Sequence, residues 1–153
     1  MEQPTQPAVN QYPSFQTRVI AFLIDSVIAY AISLLPVVGG LIGGAYMLLR
    51  DGLTLDFANG RSIGKHLMKI RPIRLDGQPM DLATSARRNW MFALGLLISA
   101  LVFIPIVGWL LIPVVAIFSV VIVIIETLNA NKKPAGIRIG DKMAGTEVVV
   151  AEQ

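Results

Sequence analysis

The chain is 153 residues long, 54% hydrophobic and only 15% charged, with a net charge of +3 and a mean hydropathy of +0.66. Soluble domains carry about 25% charged residues, so this composition excludes a soluble enzyme and a disordered chain, and the lack of cysteine excludes a disulfide scaffold. One domain embedded in a bilayer is the class that fits.

In chain order, residues 1–16 are rich in Gln and Pro and read as a disordered cytoplasmic tail. Residues 17–150 form the membrane domain. The apolar block 19–49 has Asp25 as its only charged side chain, and Pro36-Val37-Val38-Gly39 stands where a reversal is needed. The spacing predicts spans at 18–35 and 38–52. Ala29-Tyr30-Ala31 resembles a signal-cleavage site, but Asp25 and the polar residues before it argue against one. In the central loop, 53–88, Ile70–Leu75 and Pro79-Met80 around the Asp76-Gly77 turn predict a short hairpin. Asp81 is placed to cap a helix running through Arg87-Arg88. Residues 89–125 then contain no charge at all. As one helix they would measure about 55 Å, against a hydrocarbon layer of about 30 Å. Pro105-Ile106-Val107-Gly108 supplies the second reversal, a near copy of the first. The predicted spans are 89–104 and 108–126, followed by a tail at 127–153.

Charge placement orients these spans. One basic residue, Arg18, lies in the N-terminal segment, eight lie in the central segment and four in the tail, which accounts for all thirteen. The two reversals carry none. By the positive-inside rule both termini and the central loop are cytoplasmic. The fold class expected is therefore an all-α membrane protein, four transmembrane helices as two hairpins, in the inner or plasma membrane. Residues 50–88 carry eight basic residues against Asp51, Asp56, Asp76 and Asp81, and this excess is expected to attract anionic lipid headgroups. Membrane topology accounts for the charge, so no nucleic-acid partner is expected.

Asp25 is the first candidate for chemistry. A carboxylate near the bilayer centre costs about 2.5–3.5 kcal/mol even on lenient scales, so it must face protein, bind a cation or proton, or sit in a wet cavity. Ala21, Asp25, Ala29 and Ser33 make one small-residue stripe, and Gly39/Gly43 and Gly40/Gly44 offer a matching surface. Two readings stand side by side: a structural Asp held by a cation, and a site for Na+ or H+. Gly60-Arg61-Ser62-Ile63-Gly64-Lys65 is one residue too short for a phosphate loop. His66 is the sole histidine and reads as an interfacial side chain; with no cysteine or second histidine, no metal site is expected. No Ser-His-Asp or Cys-His set is present, so neither an enzyme nor a cofactor is expected.

Arg18, Asp25, Gly60-Arg61-Ser62-Ile63-Gly64-Lys65, Arg87-Arg88 and Gly140-Asp141-Lys142-Met143-Ala144-Gly145-Thr146-Glu147-Val148-Val149 together resemble the RDD family of small membrane proteins, over about residues 15–150. The resemblance maps the family's Arg and two Asp onto Arg18, Asp25 and Asp141, with Ser62, Gly64, Lys65, Arg87, Arg88, Gly145 and Thr146 as supporting positions. It implies transport of a small ligand, with some members like sodium/proton antiporters. Asp141 is expected to accept from Arg18 or from Arg87/Arg88 and latch the tail onto the helix starts. The leading expectation is a protein that moves, or helps move, a cation or small solute as a homo-oligomer, with Asp25 as its acid. The rival is a membrane scaffold or assembly partner whose Arg/Asp network is structural.

Overall fold

A computed structural model describes residues 11–53, 60–132 and 136–151. Helix α1 (Phe15–Ser33) begins where Ser14, in extended conformation, accepts from the Thr17 N–H at 3.1 Å. That bond satisfies a donor the first turn leaves without a partner. The chain reverses into α2 (Gly39–Leu49), and after the central segment a second pair follows, α5 (Phe92–Leu101) and α6 (Val107–Ala130). Helix α1 packs on α2, α2 on α5, and α5 on α6. The outer faces stay bare: Leu23, Val27 and Tyr30 on α1, and Leu110, Ile117 and Phe118 on α6 are all exposed. Such apolar faces without protein cover require an apolar solvent.

The two reversals share one device. Val38 N–H donates to Pro36 O at 2.7 Å over Val37 at φ 67°, and Val107 N–H donates to Pro105 O at 2.8 Å over Ile106 at φ 66°. These are γ-turns of the positive-φ form, costly for a β-branched residue by about 1–3 kcal/mol. The glycine that follows lets the backbones touch. A Cβ on Gly39 would lie 2.7 Å from the Ile32 and Ser33 carbonyl oxygens, and one on Gly108 would overlap Leu101 O.

The polar segments build a second layer at the other end of the helices. It comprises α3 (Ile63–Leu67), β1 (Ile70–Arg74), α4 (Leu82–Arg88), α7 (Ile139–Ala144) and β2 (Thr146–Val150). Ser62 and Asp81 cap α3 and α4 by accepting from Lys65 and Thr84 N–H. Gly145, left-handed at φ 60°, ends α7 and turns the chain into β2. The strands pair antiparallel, Ile70 opposite Val150 and Arg74 opposite Thr146. Ile70 and Val148 close with Ala21 of α1 into the small apolar core that seats this layer on the helices.

Several expectations are corrected. The expected all-α chain contains a two-stranded sheet. The hairpin expected within 70–80 does not form; β1 pairs with the tail instead, because Val148-Val149-Val150 offers β-branched partners that Gln78-Pro79-Met80 lacks. Among the described residues, α1 and α6 are the two helices long and apolar enough, by length and composition, to cross a membrane. Helices α2 and α5 have 11 and 10 residues, about 16 and 15 Å. Arg50 and Asp51, expected within the second span, and Asn89, expected to open the third, are buried in the polar layer. Residues 1–10 of the tail expected to be disordered lie outside the described residues; 11–14 carry no regular element, and Gln11 O accepts from Val150 N–H.

The glycine contacts make a test by contrast. Gly39→Ala and Gly108→Ala should each destabilise the detergent-solubilised protein by about 1–3 kcal/mol through overpacking. Gly95→Ala meets nothing within 4 Å and should stabilise α5 by about 0.5–1 kcal/mol. Thermal melts of the three variants check this; equal effects would remove the steric role given to the tips.

Candidate functional site

Asp25 lies on the buried stripe of α1 with Ala21 and Ala29, and is itself fully buried. Its carboxylate takes four donors. Oδ1 accepts from Gly64 N–H at 2.8 Å and Tyr46 O–H at 3.1 Å, while Oδ2 accepts from Ser62 O–H at 2.7 Å and Arg50 Nη1 at 3.0 Å. Two of these come from the segment that resembles a phosphate loop, so that loop grips an anion after all: the protein's own carboxylate. Gly64 is required there, since a Cβ would overlap Ala21 O. The Arg50 guanidinium carbon lies 5.7 Å from the Phe22 ring centre and 5.3 Å from that of Phe92, within range for attraction to the ring faces.

The network continues outward. Asp51, fully buried, pairs with Lys65 and accepts from Asn89 at 3.1 Å, and Arg88 Nε stands 3.5 Å away. The same Arg88 Nε reaches Asp141 at 3.1 Å, and Asp141 also holds Arg138 through Nε and Nη2, each at 3.2 Å. Burial lowers the Lys65 ammonium from the ordinary lysine range while Asp51 opposes the drop. Burial would raise the Asp141 carboxyl, but Arg88 and Arg138 outweigh it and hold it at about 2. Glu126, near the end of α6, accepts from Ile139 N–H at 2.7 Å and Gly140 N–H at 2.9 Å, fixing the start of α7.

Of the residues singled out from sequence, the structure brings Asp25, Ser62, Gly64, Lys65, Arg88 and Asp141 into this network, and Thr146 touches it by donating to Asp141 O at 3.4 Å. Gly145 serves as the αL cap, and Arg87 lies exposed. Of the partners expected for Asp141, it takes Arg88, together with Arg138, and not Arg18 or Arg87; Arg18 donates instead to Gly136 O at 2.7 Å. The tail is still held, with Arg18 gripping its backbone rather than its carboxylate. Sequence reasoning missed Arg50, Asp51, Asn89, Glu126 and Arg138. The available signal was position, since Arg50-Asp51 and Glu126 are the first charges after long uncharged runs.

Between the N-terminal half of α1 and the C-terminal half of α6 a cleft of about 140 Å³ opens onto this network. Phe15, Phe22, Phe92 and Val123 line its walls, and Arg50, Lys65, Arg88 and Glu126 are among its charged groups. Among the described residues no group of three or more His, Asp or Glu is placed to hold a metal.

The pairing gives a direct check. A double-mutant cycle on Arg88→Gln and Asp141→Asn should show a coupling of about 0.5–3 kcal/mol in thermal stability, as residues in one buried network do. The corresponding cycle on Arg18→Gln and Asp141→Asn should show a clearly smaller coupling, since Arg18 donates to the Gly136 carbonyl and makes no direct bond to the carboxylate. Strong coupling in the second and none in the first would restore the direct Arg18–Asp141 latch.

No curated protein and no solved structure matches the chain. A family model does: that of the RDD family, over residues 36–145, more than two thirds of the chain. The matched stretch contains Ser62, Gly64, Lys65, Arg88 and Asp141, and leaves Arg18 and Asp25 on its N-terminal side. With its bare apolar helices, its two membrane-length elements and this match, the chain belongs to the RDD family of small membrane proteins.

Proposed function

We propose that the chain is a non-enzymatic membrane scaffold whose Arg/Asp network is architectural, docking the central segment and tail onto two membrane-embedded hairpins as a rigid platform for assembly partners. The observation that carries this reading is the state of Asp25. A carboxylate has about four lone-pair sites, and here four donors fill them. A cation or a transported proton would have to displace Arg50, Ser62, Tyr46 or Gly64 from an acid with no exposed surface.

Asp25→Asn tests the reading. Asn leaves Arg50 buried beside a neutral amide, and breaking a buried pair in this way costs about 3–5 kcal/mol. The variant should melt far below the parent and accumulate poorly, and proteoliposomes of the parent should pass Na+ or H+ no faster than protein-free vesicles. A parent that carries sodium- or proton-driven flux, lost in a well-folded Asp25→Asn variant, would establish the transport reading instead.

The orientation we propose places both termini and residues 53–88 in the cytoplasm, on the strength of the basic residues gathered there and missing from the tips. Cysteines introduced at Val38 and Val107 should react with an impermeant maleimide added to intact cells, and one at Gln78 should react only after lysis. External labelling at Gln78 would invert the orientation.

A further inference from the structure

We propose that the cleft between α1 and α6 is a binding site for one anionic phospholipid. Its phosphodiester sits against Arg50 and Arg88, and its first acyl methylenes lie between Phe22, Phe92 and Val123. This goes beyond the architectural reading and beyond diffuse attraction of headgroups to a basic surface, because it requires a single saturable site in the fold.

Three observations lead there. The first is charge balance. Among the described residues, Arg50, Lys65, Arg88 and Arg138 pair with Asp25, Asp51 and Asp141, and Glu126 is met by backbone N–H groups. Arg18, Arg50, Lys65, Arg88 and Arg138 all line the cleft, whereas only Asp25 and Glu126 of these acids do, and unbalanced charge in such surroundings is expensive. Asp51 and Asp141 are not on its lining, so the cleft presents the positive excess. A cation is therefore the wrong occupant and a monoanion the right one.

The second is a set of unused donors. Arg88 and Arg50 are 1% and 3% exposed, yet Arg88 Nη1 and Arg50 Nε have no hydrogen-bond partner among the described residues. Buried donors left without acceptors are destabilising, and those of charged groups most of all. Both residues line the cleft. A phosphodiester supplies acceptor oxygens with the geometry guanidinium groups favour.

The third is the wall. A site for free phosphate would be polar throughout, but this one is faced by aromatic and aliphatic side chains and framed by the two helices of membrane length. The cleft has room for a headgroup phosphate and the start of a chain, not for a whole diacyl lipid. The remaining methylenes would run along the exposed apolar face of α6, past Val120 and Ile117.

Native mass spectrometry of the delipidated full chain in detergent tests this, with dioctanoyl phosphatidylglycerol as the probe. One adduct per chain should form and saturate. Dioctanoyl phosphatidylcholine, with the same tails and no net charge, should bind at least tenfold more weakly, and glycerol 3-phosphate, the headgroup chemistry without tails, should not bind measurably. Thr127→Trp fills the cleft while leaving every ion-pairing residue in the sequence, and should weaken phosphatidylglycerol at least tenfold. As a test that needs no substitution, the parent protein is also labelled with a phosphatidylglycerol carrying a photoreactive diazirine near the headgroup. Crosslinks should map to Phe22, Phe92, Val123 and Thr127. Equal binding of the two phospholipids, equal binding of glycerol 3-phosphate, or crosslinks spread around the outward face of α6 would each overturn the proposal.

Discussion

A carboxylate removed from water is tolerated only when both its charge and its lone pairs are met, and among the described residues four are buried: Asp25, Asp51, Glu126 and Asp141. Each is met by groups from another segment. Asp25 on α1 is held by the end of α2 and the start of α3, and Asp51 by α3 and α4. Asp141 on α7 is held by α4, and Glu126 on α6 by the start of α7. The chain of partners runs through α3, α4 and α7 and meets the sheet at Thr146, while Ile70 and Val148 seat the sheet against Ala21. With no large apolar core available, since most apolar surface faces outward, these pairs and not hydrophobic burial decide how the segments lie relative to one another. The arrangement favours one geometry because each alternative leaves a buried charge alone.

What sequence could show followed the range of the interaction involved. Apolar runs, the two reversals and the Asp81 cap are written in neighbouring residues and were legible. Asp25 was legible as an anomaly, since a lone acid in an uncharged run demands a reason. Its partners were not, because Arg50, Ser62 and Gly64 lie 25 to 39 residues away and no local pattern links them. The sheet was missed for the same reason: β1 lies mid-chain and β2 at the end of the membrane domain, with Ile70 paired to Val150 and Arg74 to Thr146, and a nearer turn signal at Asp76-Gly77 pointed to a local hairpin. The family resemblance drew attention to Asp141 but gave no means of choosing among Arg18, Arg87 and Arg88 as its partner, and no signal for Arg138.

The reversals show how a repeated sequence becomes a repeated strain. Pro36-Val37-Val38-Gly39 and Pro105-Ile106-Val107-Gly108 place a β-branched residue at positive φ and let a glycine accept the opposing carbonyls. Neither hairpin could keep so tight a tip without the helix contact that follows it, so turn and pairing are mutually dependent. The hairpins then differ below the tip: α1 and α2 are tied by Asp25 and Arg50, whereas α5 and α6 carry no charge until Glu126.

The short helix of each pair has a consequence for the lipid around it. Helices α2 and α5 have only 11 and 10 residues, about half the thickness of a hydrocarbon layer, and the residues flanking their polar-layer ends include Arg50, Asp51 and Asn89. On that side of the protein the oily belt is shallow, while α6 offers a belt of full height. A fluid bilayer relieves such mismatch by thinning where the belt is shallow, at a fraction of a kcal/mol per Å. The protein would therefore sit at the edge of a dimple it makes itself, deeper on the α2–α5 face than on the α6 face, and would collect where membranes are already thin.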